Sequence, residues 1–256
     1  SSPIKVYEEL VRMHKEEGLS FKNVITFNLD EYYPMTKENN QSYFHFMHQH
    51  LFNYVDINPE NIHIPDGSVS FEDLNQYCID YEMNIKNAGG LDFQLLGIGR
   101  TGHVGFNEPG SHINSGTRII TLDHITRVDA SSDFNGIDNV PKRAITMGVS
   151  TILRSKRIVL MAWGQNKADV IKRTIQGDIT SEVPATFLQN HNNATFVLDQ
   201  SAASELTRFK TPWLVGECIW TQELKSKAIV WLCQQTNQSI LKLTDRDYNN
   251  NGMSDL

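Results

Sequence analysis

The stretch Leu95–Gly110, LLGIGRTGHVGFNEPG, carries a G-x-G-x-x-G at Gly97, Gly99 and Gly102, directly after an apolar run that reads as a strand. In a dinucleotide-binding fold that spacing works only where a helix opens at the last glycine, so that its amides and dipole meet a pyrophosphate. Even the acidic residue expected about 20 positions further on has a candidate in Asp123. The residues after Gly102 speak against a helix: Gly105, Pro109 and Gly110 would not sustain one. The loop offers instead His103 set between glycines, with Glu108 held before a proline. Glycines allow a substrate close to the backbone, imidazole titrates near neutral pH, and a carboxylate can orient it. These residues describe an acid/base loop.

Working outward, strand-like and helical segments alternate. IKVYEELVRMHKEEG reads as a helix with Ser2 as N-cap, Pro3 at its first position and Gly18 beyond its last turn. VITFNLD, Val24–Asp30, reads as a buried strand, and YFHFMHQHLF as a helix opened near Ser42. NIHIP is a brief strand, and Ser70 with Asp73 forms an S-x-x-D start for the next helix. After the quoted loop come TRIITL, a polar segment from Asp123 to Arg143 read as a long loop or lid, the strand RIVLMAW, the helix QNKADVIKRTIQG, the strand NATFVLD and the late helix TQELKSKAIVWLCQQ. This order predicts an α/β protein with a doubly wound, mostly parallel sheet and helices on both faces. Ligands in such sheets sit outside the carboxyl ends of strands. Two strands end there in polar clusters, one at Asp30-Glu31 and one at the quoted loop.

Composition narrows the function classes. A formal net charge of -7 over 256 residues, with no long Lys/Arg block, argues against nucleic acid as a partner. Cys78, Cys218 and Cys233 are widely spaced and suggest neither a disulfide framework nor a zinc knuckle, which fits a reducing cytoplasm. No run approaches the roughly 18 apolar residues of a spanning helix, so no membrane partner is expected. H-x-x-x-x-E is not a standard metal-ligand spacing, and no metal is expected at His103 and Glu108. Asp30 and Glu31 would make a useful base if partly buried, because burial lifts a carboxylate's pKa. Lys167, at the start of a helix, suits an anion as a point charge, as do Ser1 and Ser2 at the start of the first helix. Each has a plainer reading as a solvated surface group.

Five strings in order, FNLDEYYP, LLGIGRTGHVGFNEPGS, TRIITL, VPKRAITMGVSTIL and GQNKADVI, resemble the glucosamine-6-phosphate deaminases, from Ser2 to about Gln235. The looser relative, 6-phosphogluconolactonase, a hydrolase, also has a glycine-histidine loop but normally lacks F-N-E-P. The resemblance implies an amino-sugar phosphate as small-molecule substrate and a cofactor-independent isomerisation coupled to loss of ammonia. It gives Asp30 the role of base at C2, His103 supported by Glu108 the ring opening, and Ser1, Ser2, Gly97 and Lys167 contacts to the substrate and its phosphate. The family usually has an aspartate where Thr101 stands, so Thr101 is a candidate modulator. Ser132 replaces a lid arginine that commonly binds phosphate, with Arg127 and Arg143 as other cations at hand. Ile120 stands where effector-regulated members have a basic residue, though Arg118 is kept. Another reading is a sugar-phosphate-binding regulatory domain weakened in catalysis by Thr101 and Ser132. Residues 1–240 are expected to form the isomerase/deaminase domain, lacking a first strand and phosphate loop found upstream in the family. Residues 241–256 are expected to be a linker or the start of a second domain. Assembly as a homo-oligomer is left open by the sequence.

Overall fold

Helix α1 covers Ile4–Glu17 and stops at Gly18. Strand β1 is only Thr26–Phe27, followed at once by a separate strand β2, Asp30–Tyr33. The buried strand expected over Val24–Asp30 is thus shorter: Val24 and Ile25 are exposed, because its parallel partner β3 offers just Ile62–His63. Helix α2, Tyr43–His50, starts where Ser42 Oγ accepts the His45 N–H at 2.9 Å. Helix α3, Leu74–Asn87, follows the Ser70–Asp73 pair. Then come β4 (Phe93–Leu96), β5 (Arg118–Thr121), α4 (His124–Ala130), β6 (Arg143–Thr146), α5 (Val149–Leu153), β7 (Arg157–Ala162), α6 (Ala168–Gln176) and β8 (Ala194–Leu198). This computed structural model describes residues 3–256. The expected roles of Ser1 and Ser2 lie outside the described residues.

The α/β class with parallel strands flanked by helices is borne out, and the sheet architecture is more divided than expected. Among the described residues β1 and β3 pair in parallel, β4, β7 and β8 form a second parallel sheet, and β2, β6 and β5 form an antiparallel one. The antiparallel register sets Asp30 opposite Thr146, and Thr146 opposite Arg118. Side chains alternate along a strand. Tyr32 and Ala144 accordingly pack with Phe106 and Leu122 on one face, while Tyr33 and Ile145 pack with Leu74 and Cys78 of α3 on the other. The expected lid loop from Asp123 to Arg143 is also more ordered than its composition suggests. Asp123 Oδ1 accepts the Ile125 N–H at 2.7 Å and caps α4, and a 3-10 turn spans Ile137–Asn139. A helix of two turns is too short to show periodicity amid polar residues.

The chain divides into two compact units, 1–202 and 203–256, so the boundary falls well before residue 240. The second unit holds α7 (Thr207–Lys210), α8 (Gln222–Thr236) and α9 (Asp245–Asn250), and Ala228 and Leu232 of α8 pack with Trp213 and Met253. The tail 241–256 is therefore not a bare linker: α9 carries a capping box between Thr244 and Asp247, and Met253 is buried. No helix among the described residues is long and apolar enough to cross a membrane.

Candidate active site

Beyond β4 the chain makes a tight turn in which the Gly102 N–H donates to Gly99 O at 3.0 Å and the Gly99 N–H to His103 O at 3.1 Å. It then forms a bridge between Val104 and Asn107 rather than a helix, which removes the geometry a pyrophosphate would need. Asn107 is fully buried and acts as the loop's rivet. Its Nδ2 donates to Val104 O (2.9 Å) and Met147 O (2.8 Å), and its Oδ1 accepts from Arg118 Nη1 (2.9 Å). Arg118 also donates to Ser111 Oγ at 3.0 Å, so it is a scaffold for this loop. The His103 ring lies over Gly99, where a Cβ would come within 2.2 Å of Nε2.

His103 Nδ1 lies 3.1 Å from Glu108 Oε2, 2.9 Å from Thr101 Oγ1 and 3.3 Å from Thr126 Oγ1. Glu108 Oε1 accepts the Asp123 N–H at 3.2 Å, so this carboxylate bridges the imidazole and the first turn of α4. Burial acts to raise the Glu108 carboxyl. Hydrogen bonding and charge from His103, with the Thr126 hydroxyl and Asp123 amide, outweigh it and hold the group below its ordinary value. A carboxylate kept ionised against a mostly buried imidazole is a suitable support for proton transfer at Nε2.

Asp30 lies where the chain leaves parallel β1 and turns into β2. A Cβ on Gly105 would sit 3.3 Å from Asp30 Oδ2 and 3.0 Å from Thr146 Oγ1, tight against both, and the backbone there has φ +56°, which favours glycine. Thr146 Oγ1 in turn accepts the Phe106 N–H at 3.0 Å. Removal from solvent, with the charge of neighbouring Glu31 adding to it, pushes the Asp30 carboxyl up to about 8. Glu31, 2% exposed, serves the scaffold instead. Its carboxylate accepts the backbone N–H groups of Tyr32 (2.9 Å) and Phe44 (3.2 Å), tying β2 to α2. Burial raises it to about 7 against those hydrogen bonds.

The raised Asp30 carboxyl has a thermodynamic signature. Between its ordinary 3.8 and about 8 the folded protein retains a proton that the unfolded chain has released, so stability falls as pH climbs through that window. Asp30→Asn removes this contribution. The melting temperature of the variant relative to the unchanged protein is expected to rise steadily from pH 4 to 8 and then level off. A difference that stays flat across those pH values would show that Asp30 is not held protonated.

Lys167, in the turn that follows β7, donates from Nζ to Ile98 O at 2.8 Å, between Gly97 and Gly99. Burial lowers its pKa, opposed by Asp129 and reinforced by Arg100. Arg100 itself forms a bidentate ion pair with Asp129 on α4, its Nε 2.9 Å from Oδ2, which fastens that helix to the glycine loop. The other candidate cations are engaged elsewhere: Arg127 donates to Ile137 O and Val140 O, and Arg143 lies over the Phe71 ring. Thus Asp30, Thr101, His103, Glu108, Gly97 and Lys167 gather around one loop, at the carboxyl ends of β1, β4 and β7. Sequence reasoning missed Thr126, Asn107 and Thr146. The Asp123 cap was the one local signal for a helix that would carry Thr126. No cluster of three or more metal-ligating side chains occurs among the described residues.

Residues 1–197 match the family model described as glucosamine-6-phosphate isomerases/6-phosphogluconolactonase. The chain belongs to that family. A glucosamine-6-phosphate deaminase-like protein of Bacteroides thetaiotaomicron is 52% identical over all 256 residues, and the chain spans 39% of that relative's length. The glucosamine-6-phosphate deaminase of Clostridium novyi is 46% identical over 206 residues, covering 80% of this chain and 85% of the relative. Among solved structures, a monomeric glucosamine-6-phosphate deaminase superposes with a TM-score of 0.78 at 41% identity, covering 80% of this chain and 84% of that one. The 6-phosphogluconolactonase of Thermotoga maritima, at 23% identity and TM-score 0.59 with 77% and 81% covered, shares the fold. The second unit, 203–256, lies beyond the family match.

Proposed function

We propose that this chain converts glucosamine 6-phosphate and water to fructose 6-phosphate and ammonia. His103, oriented by Glu108, moves a proton from the anomeric hydroxyl to the ring oxygen and opens the sugar. Asp30, in its ionised form, then takes the C2 proton, and its conjugate acid returns it to C1. The C2 imine so formed is hydrolysed by water, releasing ammonia and leaving the ketone. The observation that carries this reading is that a carboxyl of raised pKa beside Gly105 and a carboxylate-held imidazole over Gly99 flank the same loop. Carbon-acid chemistry needs a base of matched strength, and ring opening between oxygens suits imidazole. The names of the deaminase relatives support the same reaction.

Ammonia release by the protein from a panel of hexosamine 6-phosphates, with 6-phosphogluconolactone hydrolysis alongside, tests the proposal. Release from glucosamine 6-phosphate supports it. Binding of the sugar without ammonia release would favour a regulatory domain, and lactone hydrolysis alone would favour the hydrolase. In this reading Lys167, beside the glycine loop, is the cation that takes the 6-phosphate. Lys167→Ala is expected to raise KM for the sugar phosphate roughly 10- to 100-fold, the loss of one hydrogen bond to a charged group, with a smaller change in kcat. An unchanged KM would remove Lys167 from the phosphate site.

A further inference from the structure

We infer that Thr126 is a positioning residue for the His103–Glu108 pair, holding the carboxylate where it selects the imidazole tautomer that leaves Nε2 free. This rests on the acid/base reading of the loop given above. Thr126 comes from α4, far in sequence from the histidine loop, yet it is 7% exposed, its Oγ1 lies 3.3 Å from His103 Nδ1, and its hydroxyl helps to hold the Glu108 carboxyl below its ordinary pKa. The second hydroxyl at the pair, Thr101 Oγ1, donates to Glu108 Oε2 at 3.4 Å.

Donor and acceptor rules decide the arrangement. An ionised carboxylate only accepts, whereas a hydroxyl can do either. Were Nδ1 unprotonated, its lone pair would face Glu108 Oε2 at 3.1 Å, two acceptors with no proton between them. With the proton on Nδ1, that contact becomes a hydrogen bond, and the hydroxyls of Thr101 and Thr126 are free to donate to the same carboxylate. Glu108 then accepts hydrogen bonds from His103 Nδ1, Thr101 and the Asp123 amide, and the Thr126 hydroxyl beside His103 Nδ1 is free to add a fourth. Two of those four donors ride on α4 and its cap, and the Arg100–Asp129 ion pair secures that helix to the loop. The helix thus completes the support of the imidazole, and Thr126 is its side-chain contribution.

The experiment compares Thr126→Val, nearly isosteric, with Thr126→Ser, which keeps the hydroxyl. Valine is expected to lower kcat for ammonia release about 10-fold with KM little changed, in line with the loss of one hydrogen bond to a charged group. Serine is expected to recover activity to within about 2-fold of the unchanged protein, on the scale where a tenfold rate change is one decade of transition-state stabilisation. A role in packing alone would favour valine over serine. The imidazole nitrogen NMR shifts of His103 give a readout independent of turnover: Nδ1 protonated in the unchanged protein and in the serine variant, and a shift toward mixed tautomers with valine. Valine matching the unchanged protein in kcat and in those nitrogen shifts would overturn the inference. If the unchanged protein releases no ammonia the reaction assignment fails, and the nitrogen shifts alone still decide the role of Thr126.

Discussion

Asp30→Asn is expected to slow ammonia release from glucosamine 6-phosphate by roughly 10^3- to 10^4-fold, the upper part of the range for a positioned general base. Asparagine keeps the shape of aspartate against Gly105 and Thr146 but cannot take a proton from carbon. Glu31 does not substitute for it, because its carboxylate is turned toward the backbone amides of Tyr32 and Phe44. KM should move by no more than a few-fold, since the phosphate contact assigned to Lys167 lies at another strand end. Steady-state kinetics on the folded variant check this directly. A kcat within tenfold of the unchanged protein would remove Asp30 from the role of base, whatever becomes of the rest of the site. The variant is also expected to be at least as stable as its parent near pH 8, so lost activity cannot be put down to unfolding.

The second large effect is steric. A methyl group on Gly99 would stand 2.1 Å from Cε1 and 2.2 Å from Nε2 of His103, inside any permitted contact. Gly99→Ala must therefore drive the imidazole off its present position. A displacement of about 1 Å can cost roughly 100-fold in rate, and overpacking costs about 1–3 kcal/mol of stability. We expect kcat to fall at least about 100-fold, with a measurable drop in melting temperature. Adding His103→Ala to Gly99→Ala removes the collision, so the double variant should regain the lost melting temperature but no activity. Gly99→Ala with near-normal kcat would show that His103 does not work from the position described.

Much of this was legible in the residues because the signals were local. The strands at Phe93, Arg157 and Ala194 are apolar runs, α2 and α8 open on a Ser and a Thr, and the glycine-histidine string stands out without reference to anything distant. The antiparallel sheet was not legible. Each of its strands is four residues long, and β2 finds its partner β6 far away in the chain, so neither periodicity nor turn chemistry marks it. Thr126 stayed hidden for a related reason: it belongs to a seven-residue helix within a polar stretch, and its relevance depends on a contact with residue 103. Among the terminal residues, α9 was masked by an Asn- and Asp-rich composition that suggests a linker, although its capping box was present in the letters.

The row that joins Asp30 to Thr146 and Thr146 to Arg118 carries a consequence for how activity first arises in a newly made chain. A pairing as remote along the polypeptide as that of Asp30 with Thr146 is formed late, after the entropy of closing a long loop has been overcome. Turnover should therefore emerge only with the last cooperative stage of folding. During synthesis, a ribosome-bound fragment that ends before Arg143 would display both the future base and the future imidazole, yet leave them unable to act on the same molecule.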